Sequence, residues 1–341
     1  MPDADWTIVG DTIYHLNGNV GIGTTTPNEQ LKIAGNLRLP STAIIKVGAD
    51  RFIHNYGHYN TFVGRNAGNL TMTGSYNAVI GYQALYSNTT GSSNAVSGRQ
   101  ALYSNTSGSL NTANGDEALV SNTTGTGNTA NGFNALYYNT TGSDNTALGD
   151  GAYVSSGNLT NATAIGAEAV VDASNKVRIG NTSVTSIGGQ VGWTTFSDGR
   201  YKKSTSQNVP GLAFISKLKP VTYTMDVDAI DAALRPPHQS LEERNPENLN
   251  PSAEEIASKQ AQSQIVYTGF IAQEVEQAAK EIGYDFSGVD VPKNDKGMYG
   301  LRYAEFVVPL VKAVQEQQQM IQEQQQIIQE LQKRIEELEK R

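Results

Sequence analysis

The sequence predicts a fibrous, mostly β shaft followed by an α+β domain that ends in a coiled coil. Three observations carry that prediction: a seventeen-residue repeat through the middle of the chain, an abrupt change of composition at Ser197, and a heptad pattern from Val307 onward.

The repeat comes first. Gly57, Gly74, Gly91, Gly108, Gly125 and Gly142 are spaced seventeen apart, as are Gly64, Gly81, Gly98, Gly115, Gly132 and Gly149. Asn60, Asn77, Asn94, Asn111, Asn128 and Asn145 keep the same register, and so do the Ala-Leu pairs at 84–85, 101–102, 118–119 and 135–136. Gly166 continues the series. Seventeen residues are too few for a helix pair with its loops, and no 3.6-residue apolar stripe runs through the unit. Each unit reads as two short strands bounded by Asn-Thr-Thr-Gly-Ser turns. Stacked at about 4.8 Å per rung, six units give a shaft of roughly 30 Å. The recurring Gly and Asn suit turns with positive φ, and aligned Asn side chains form ladders along such a stack. Val79, Val96, Ala113, Ala130 and Ala147 are small enough to face an axis between chains. The expected architecture is therefore a trimeric β-roll or triple β-helix.

Composition agrees. Only 38% of the 341 residues are apolar, too few for a compact monomeric core of that size, so shared or stacked cores are expected. The net charge of −8 argues against nucleic acid, which requires clustered Lys and Arg. No apolar stretch approaches a membrane span, and MPDADWTIVGD lacks the basic and apolar regions of a secretory signal. With no cysteine, disulfides and cysteine-bound zinc are excluded. Synthesis in a cytosol and release by lysis fit these features.

Several apparent motifs in the shaft carry no chemistry. The Asn-X-Ser/Thr sequons at Asn88, Asn105, Asn122 and Asn139 are products of the repeat, not glycosylation sites. Asp116, Glu117, Asp144 and Asp150 single out no opposed pair of carboxylates for glycoside cleavage. Tyr82, Tyr86, Tyr103, Tyr137 and Tyr138 are read as packing between rungs, with stacking on sugars as the other reading. NATAIGAEA resembles the head repeats of trimeric bacterial adhesins, with a different period.

Before the shaft, GNVGIGTTTPNEQLKIAGNLRL holds Gly21 and Gly23, but Thr24, Thr25, Thr26 and Pro27 give turn and strand chemistry, not a phosphate-binding loop before a helix. The phrase resembles the VGIGTxxP segments that begin many phage fibre domains, which implies an attachment or shaft-entry role.

From Ser197, SDGRYKKS, LKPVTYTMD, YTGFIAQEVEQA and GLRYAEFVVPLVKAVQEQQQMI occur in that order. Together they resemble the intramolecular chaperone of phage endosialidases and tail spikes, the peptidase S74 domain, over Ser197 to about Gln322, with a polar insertion near Arg235 to Gln264. The resemblance implies trimerisation, folding of the fibre in front, and self-cleavage at the Ser-Asp step. Its S-D-x-R-x-K pattern falls on Ser197, Asp198, Arg200 and Lys202. Ser197 is then the nucleophile and Lys202 the general base, with Arg200 and Glu274 as possible supporting residues. A serine hydroxyl requires such a base, and a lysine serves near neutral pH only when burial or neighbouring cations lower its pKa. Arg200 and Lys203 supply cations, and trimer assembly would supply burial. Read without the other three blocks, Ser-Asp-Gly is ordinary turn sequence and Arg-Tyr-Lys-Lys a solvated strand end. Two scissile bonds stay open: attack on the preceding carbonyl splits Phe196–Ser197, whereas the family pattern points to Ser197–Asp198. Asp226, Asp228 and Asp231 lack metal-site spacing, and His238 stands alone beside two prolines.

Val307, Val314, Ile321, Ile328 and Ile335 occupy one heptad position, and Leu310, Gln317, Gln324, Leu331 and Leu338 the other. Pro309 suits a helix start. β-Branched residues with Leu favour two strands, but the resemblance and the shaft both imply three.

The chain thus divides into an attachment segment (1–56), shaft (57–170), stem (171–196), chaperone-like domain (197–306) and coiled coil (307–341). The resemblance implies a homotrimeric tail fibre of a virion or phage-like particle. Its N-terminus would meet a baseplate or tail, and its receptor would be a cell-surface glycan or protein. No cofactor, metal, nucleic acid or membrane insertion is expected. An adhesin that keeps its chaperone uncut is the alternative. A transcription factor with the same self-cleaving domain would need a basic DNA-binding domain and a membrane span.

Overall fold

The computed structural model describes residues 6–9, 12–15, 20–22, 29–33, 36–37, 44–234, 253–295 and 297–340. Gly23, Thr24–Pro27 and His238 lie outside them. Near the N-terminus β1 (Trp6–Val9) pairs antiparallel with β2 (Thr12–His15), and β3 (Val20–Ile22) pairs parallel with β4 (Leu31–Ile33).

The shaft is a β-solenoid of about seven turns over residues 61–179. A hairpin of β5 (Ile44–Val47) and β6 (Asp50–His54) runs antiparallel onto its first strand, β7 (Thr61–Val63). Parallel strands then come one per turn: β8 (Ala78–Ile80), β9 (Ala95–Ser97), β10 (Thr112–Asn114), β11 (Thr129–Asn131) and β12 (Thr146–Leu148). β13 (Tyr153–Val154) pairs with β15 (Val170–Val171) as a second, smaller sheet. β14 (Ala162–Ile165) and β16 (Lys176–Ile179) complete the large one. The last rung is shortened, with Thr163 opposite Val177 instead of a residue seventeen on.

The repeat dictates this register, because every buried column is in phase only at a shift of one whole unit. Ala113 stacks between Val96 and Ala130, all buried inside a single chain. The column from Val79 to Ala147 therefore fills the coil's own core and does not face an axis between chains. The second expected strand is also absent from most rungs. Leu85, Leu102, Leu119 and Leu136 sit instead at left-handed corners, φ 52–54°, and are fully buried. Each corner is held by the next rung, as where Leu85 N–H donates to Ala101 O at 2.9 Å. Burying a leucine offsets the roughly 1–2 kcal/mol cost of a left-handed residue. Glycine is required one corner away: Gly98 has φ +142°, and a Cβ there would lie 2.1 Å from Gly115 O.

Two asparagine ladders line the interior. Asn94 Oδ1 accepts from both the N–H and the side-chain amide of Asn111, at 3.0 and 3.2 Å, and the pattern repeats rung by rung. The sequon residues Asn88, Asn105, Asn122 and Asn139 form the second ladder, linked at 2.8 Å and fully buried. Outside, Tyr59 stacks on Tyr76 and Tyr86 on Tyr103 between rungs, at 5.1 and 5.3 Å.

After the shaft come α1 (Leu212–Ile215), β17 (Val221–Tyr223), α2 (Val227–Leu234), α3 (Ala253–Gln264), β18 (Tyr267–Gly269), α4 (Ala272–Glu281), β19 (Val289–Asp290), β20 (Gly300–Leu301) and α5 (Val307–Glu339). Part of the expected polar insertion is thus the helix α3. The spacing of Val275, Ala278 and Ala279 places all three on one face of α4. They pack with Phe214, Phe286 and Phe306 into a small aromatic core, with Phe286 4.8 Å from both other rings. Pro309 and Ala313 bury the first turns of α5. Beyond them the heptad seam is open: Ile321, Ile328, Leu331, Ile335 and Leu338 are all about half exposed or more.

Candidate self-cleavage site

Ser197 follows the exposed residues 185–196, and Lys202 lies just past a single 3-10 turn, Gly199–Tyr201. Asp198 caps that turn, its carboxylate accepting the Arg200 N–H at 2.9 Å. The turn reverses the chain enough to bring residues five apart together. Lys202 Nζ donates to Ser197 Oγ at 2.8 Å.

Arg200 does not face Lys202. Its guanidinium grips Asp198, with contacts of 3.0 Å from Nε and 2.6 Å from a terminal nitrogen to the same oxygen. The side-chain bond from Arg200, followed by its backbone N–H, holds the Asp198 carboxyl below the usual range, and Asp198 in turn raises Arg200. This clamp keeps the carboxylate beside Ser197 ionised and occupied. Glu274 is exposed in the first turn of α4 and takes no part in the Ser197–Lys202 contact. Residues 197–204 are all exposed, so among the described residues nothing shields the pair from water. The residues leading into it are apolar yet bare: Val191, Trp193 and Phe196 are 86%, 88% and 105% exposed.

This geometry starts where a family resemblance starts. Residues 197–284 match the family model of the chaperone of endosialidase, Peptidase S74. The matched segment runs from the serine of the pair to Tyr284, whose ring meets Phe214 at 5.3 Å in the aromatic core. The family is one of self-cleaving peptidases and is associated with phage tails. A β-solenoid with this segment behind it is consistent with a tail-fibre-type protein carrying a C-terminal chaperone domain. No curated protein and no solved structure matches the chain.

Among the described residues no helix is long and apolar enough to cross a membrane, and no three His, Asp or Glu side chains gather as a metal site. Asp231 instead binds Lys259 at 2.6 Å and accepts from Thr182 Oγ1 at 2.5 Å. Asp172 is the polar centre that sequence reasoning missed. Its side chain is fully buried beside Lys176 at 3.0 Å, and an Asp-x-x-x-Lys spacing in a Gly/Ser-rich stem was the available signal.

Proposed function

We propose that this protein is a trimeric tail fibre of a phage or phage-like particle. Its C-terminal part acts as an intramolecular chaperone for trimerisation and folding, and is cut from the shaft by Ser197 and Lys202 near Ser197–Asp198. The observation that carries this reading is the 2.8 Å Lys202–Ser197 contact at the first residue of the matched segment.

The pair is a hydrogen bond awaiting activation. An ammonium donating to Oγ cannot also take its proton; Lys202 must first become a neutral amine, which desolvation favours. Assembly supplies the desolvation. Three copies packed along the open seam of α5 would gather three stems, and with them Trp193 and Phe196, around the three pairs. Cleavage then reports a completed trimer. The shaft meets a cell-surface glycan or protein, and its N-terminus meets the particle.

Intact mass of the purified protein beside Ser197→Ala and Lys202→Ala tests the reading. Two wild-type fragments meeting at position 197, with both variants uncut, are expected, and their masses fix which bond breaks. An uncut wild-type trimer would remove the peptidase and leave the chaperone.

A further inference from the structure

The cut at Ser197 severs only one connection between the shaft and the C-terminal domain. Among the described residues two others cross the boundary through side chains, and neither involves residues 185–196, which are exposed.

The first centres on Asp172, in the turn that leads into the final strand β16. Its buried carboxylate holds Lys176 Nζ at 3.0 Å and lies 3.7 Å from Arg178, both on the same rung. From the far side of the cut, Met298 N–H donates to its other oxygen at 3.1 Å. Asn294 donates its side-chain amide to the Asp172 carbonyl at 3.0 Å. Asp290 faces Lys176 at 3.7 Å and is itself held by Arg302 at 3.2 Å. Carboxylate, lysine, carboxylate and arginine thus alternate in charge across the boundary.

The second lies just beyond β16. Asp231 on α2, paired with Lys259 of α3, accepts from Thr182. Gln262, buried on α3, donates to Val184 O at 2.9 Å. Together the contacts flank β16, which has a parallel partner on one side only. An unpaired edge is the part of a solenoid most prone to wrong pairing.

We propose that Asp172 is the centre of a non-covalent latch by which the C-terminal domain caps the last rung, and that the latch holds the two parts together after the backbone is cut. Cutting and release are then separate events. The latch does not depend on Ser197 being a nucleophile, since all its contacts lie elsewhere.

The test therefore uses a cut of its own. A site-specific protease sequence is placed between Gly188 and Gly189 in the full-length Ser197→Ala chain, where a Cβ on Gly188 would meet nothing within 4 Å and one on Gly189 only Val191 O at 3.5 Å. After digestion at neutral pH and low salt, size-exclusion chromatography should show both parts in one peak. Asp172→Asn should weaken the association by about tenfold or more, since a neutral amide replaces the ionised acceptor of the Met298 N–H across the boundary. Asn294→Ala lies outside the shaft and should loosen the complex in the same direction with the rungs intact. Separation of the parent parts on cutting overturns the proposal. So does retention in both variants as firm as in the parent.

Discussion

Glu316, on the long helix α5, accepts the backbone N–H of Leu212 at 2.7 Å. The start of α5 and the first helix after the Ser197–Lys202 pair are therefore one packed unit, which ties the long helix to the domain in front of it. Gly211 permits that approach. A Cβ there would lie 2.7 Å from Ala313 N, a backbone atom that cannot turn aside. Gly211→Ala should destabilise the domain by about 1–3 kcal/mol, the usual cost of overpacking. The loss should appear as a lower thermal midpoint for the aromatic core, with the shaft's own transition unmoved.

The ladder makes a second prediction. Asn111 accepts from the N–H and side-chain amide of Asn128 and donates to Asn94 Oδ1 and Gly125 O. Asn111→Ala would leave several of these groups buried without a partner, at about 1–3 kcal/mol each. A drop in shaft stability of roughly 3 kcal/mol or more is expected, measured by denaturant unfolding. Thr112→Ser, at an exposed strand position next to it, should stay within about 0.5 kcal/mol.

Legibility in the sequence divides between the features that repeat and those that do not. The period and the Asn60-to-Asn145 ladder are readable because identical residues recur at one spacing, and a parallel stack is the arrangement that brings them into register. Leu102 reads as a strand residue, yet its left-handed corner is set by the next rung, which propensity does not see. The sequons mislead in the other direction: Asn105 looks like a surface acceptor in its local triplet, yet it is buried. The Ser197–Lys202 approach is readable through the ordered motifs of a resemblance. The Arg200–Asp198 clamp and the Asp172 latch are not, since each depends on which way a side chain turns once the backbone is built.

Acid should loosen the shaft at its N-terminal end. His54 is buried against Phe62, its ring 4.5 Å away, with Nε2 on Ala67 O and Nδ1 accepting the Tyr56 N–H. Burial above all lowers its pKa; the Ala67 bond works the other way, and Arg51 adds to the lowering. The neutral ring is thus the folded form. Its contribution is fully present above the ordinary value of about 6.5 and is lost as pH falls through the depressed value in the folded chain. Thermal midpoints of the shaft should decline over that window, and His54→Phe should remove that part of the decline. An identical pH profile in the variant would show that His54 does not titrate against folding.

The open seam of α5 decides whether assembly and cutting are coupled. Ile328 occupies the centre of a run in which Ile321 and Ile335 are also about half exposed, so three copies would bury nine isoleucines there. Ile328→Asp places a charge in each of three facing positions, where like charges in a desolvated core repel and unbind the strands. Under the proposed assembly, sedimentation should show the parent as a trimer and the variant as a monomer at the same concentration. Because the monomer leaves Lys202 and Ser197 in water, its chain should stay intact over the time in which the parent is cut. A fully cut Ile328→Asp monomer would place the activation within one chain, and the exposed Trp193 and Phe196 would then need another role.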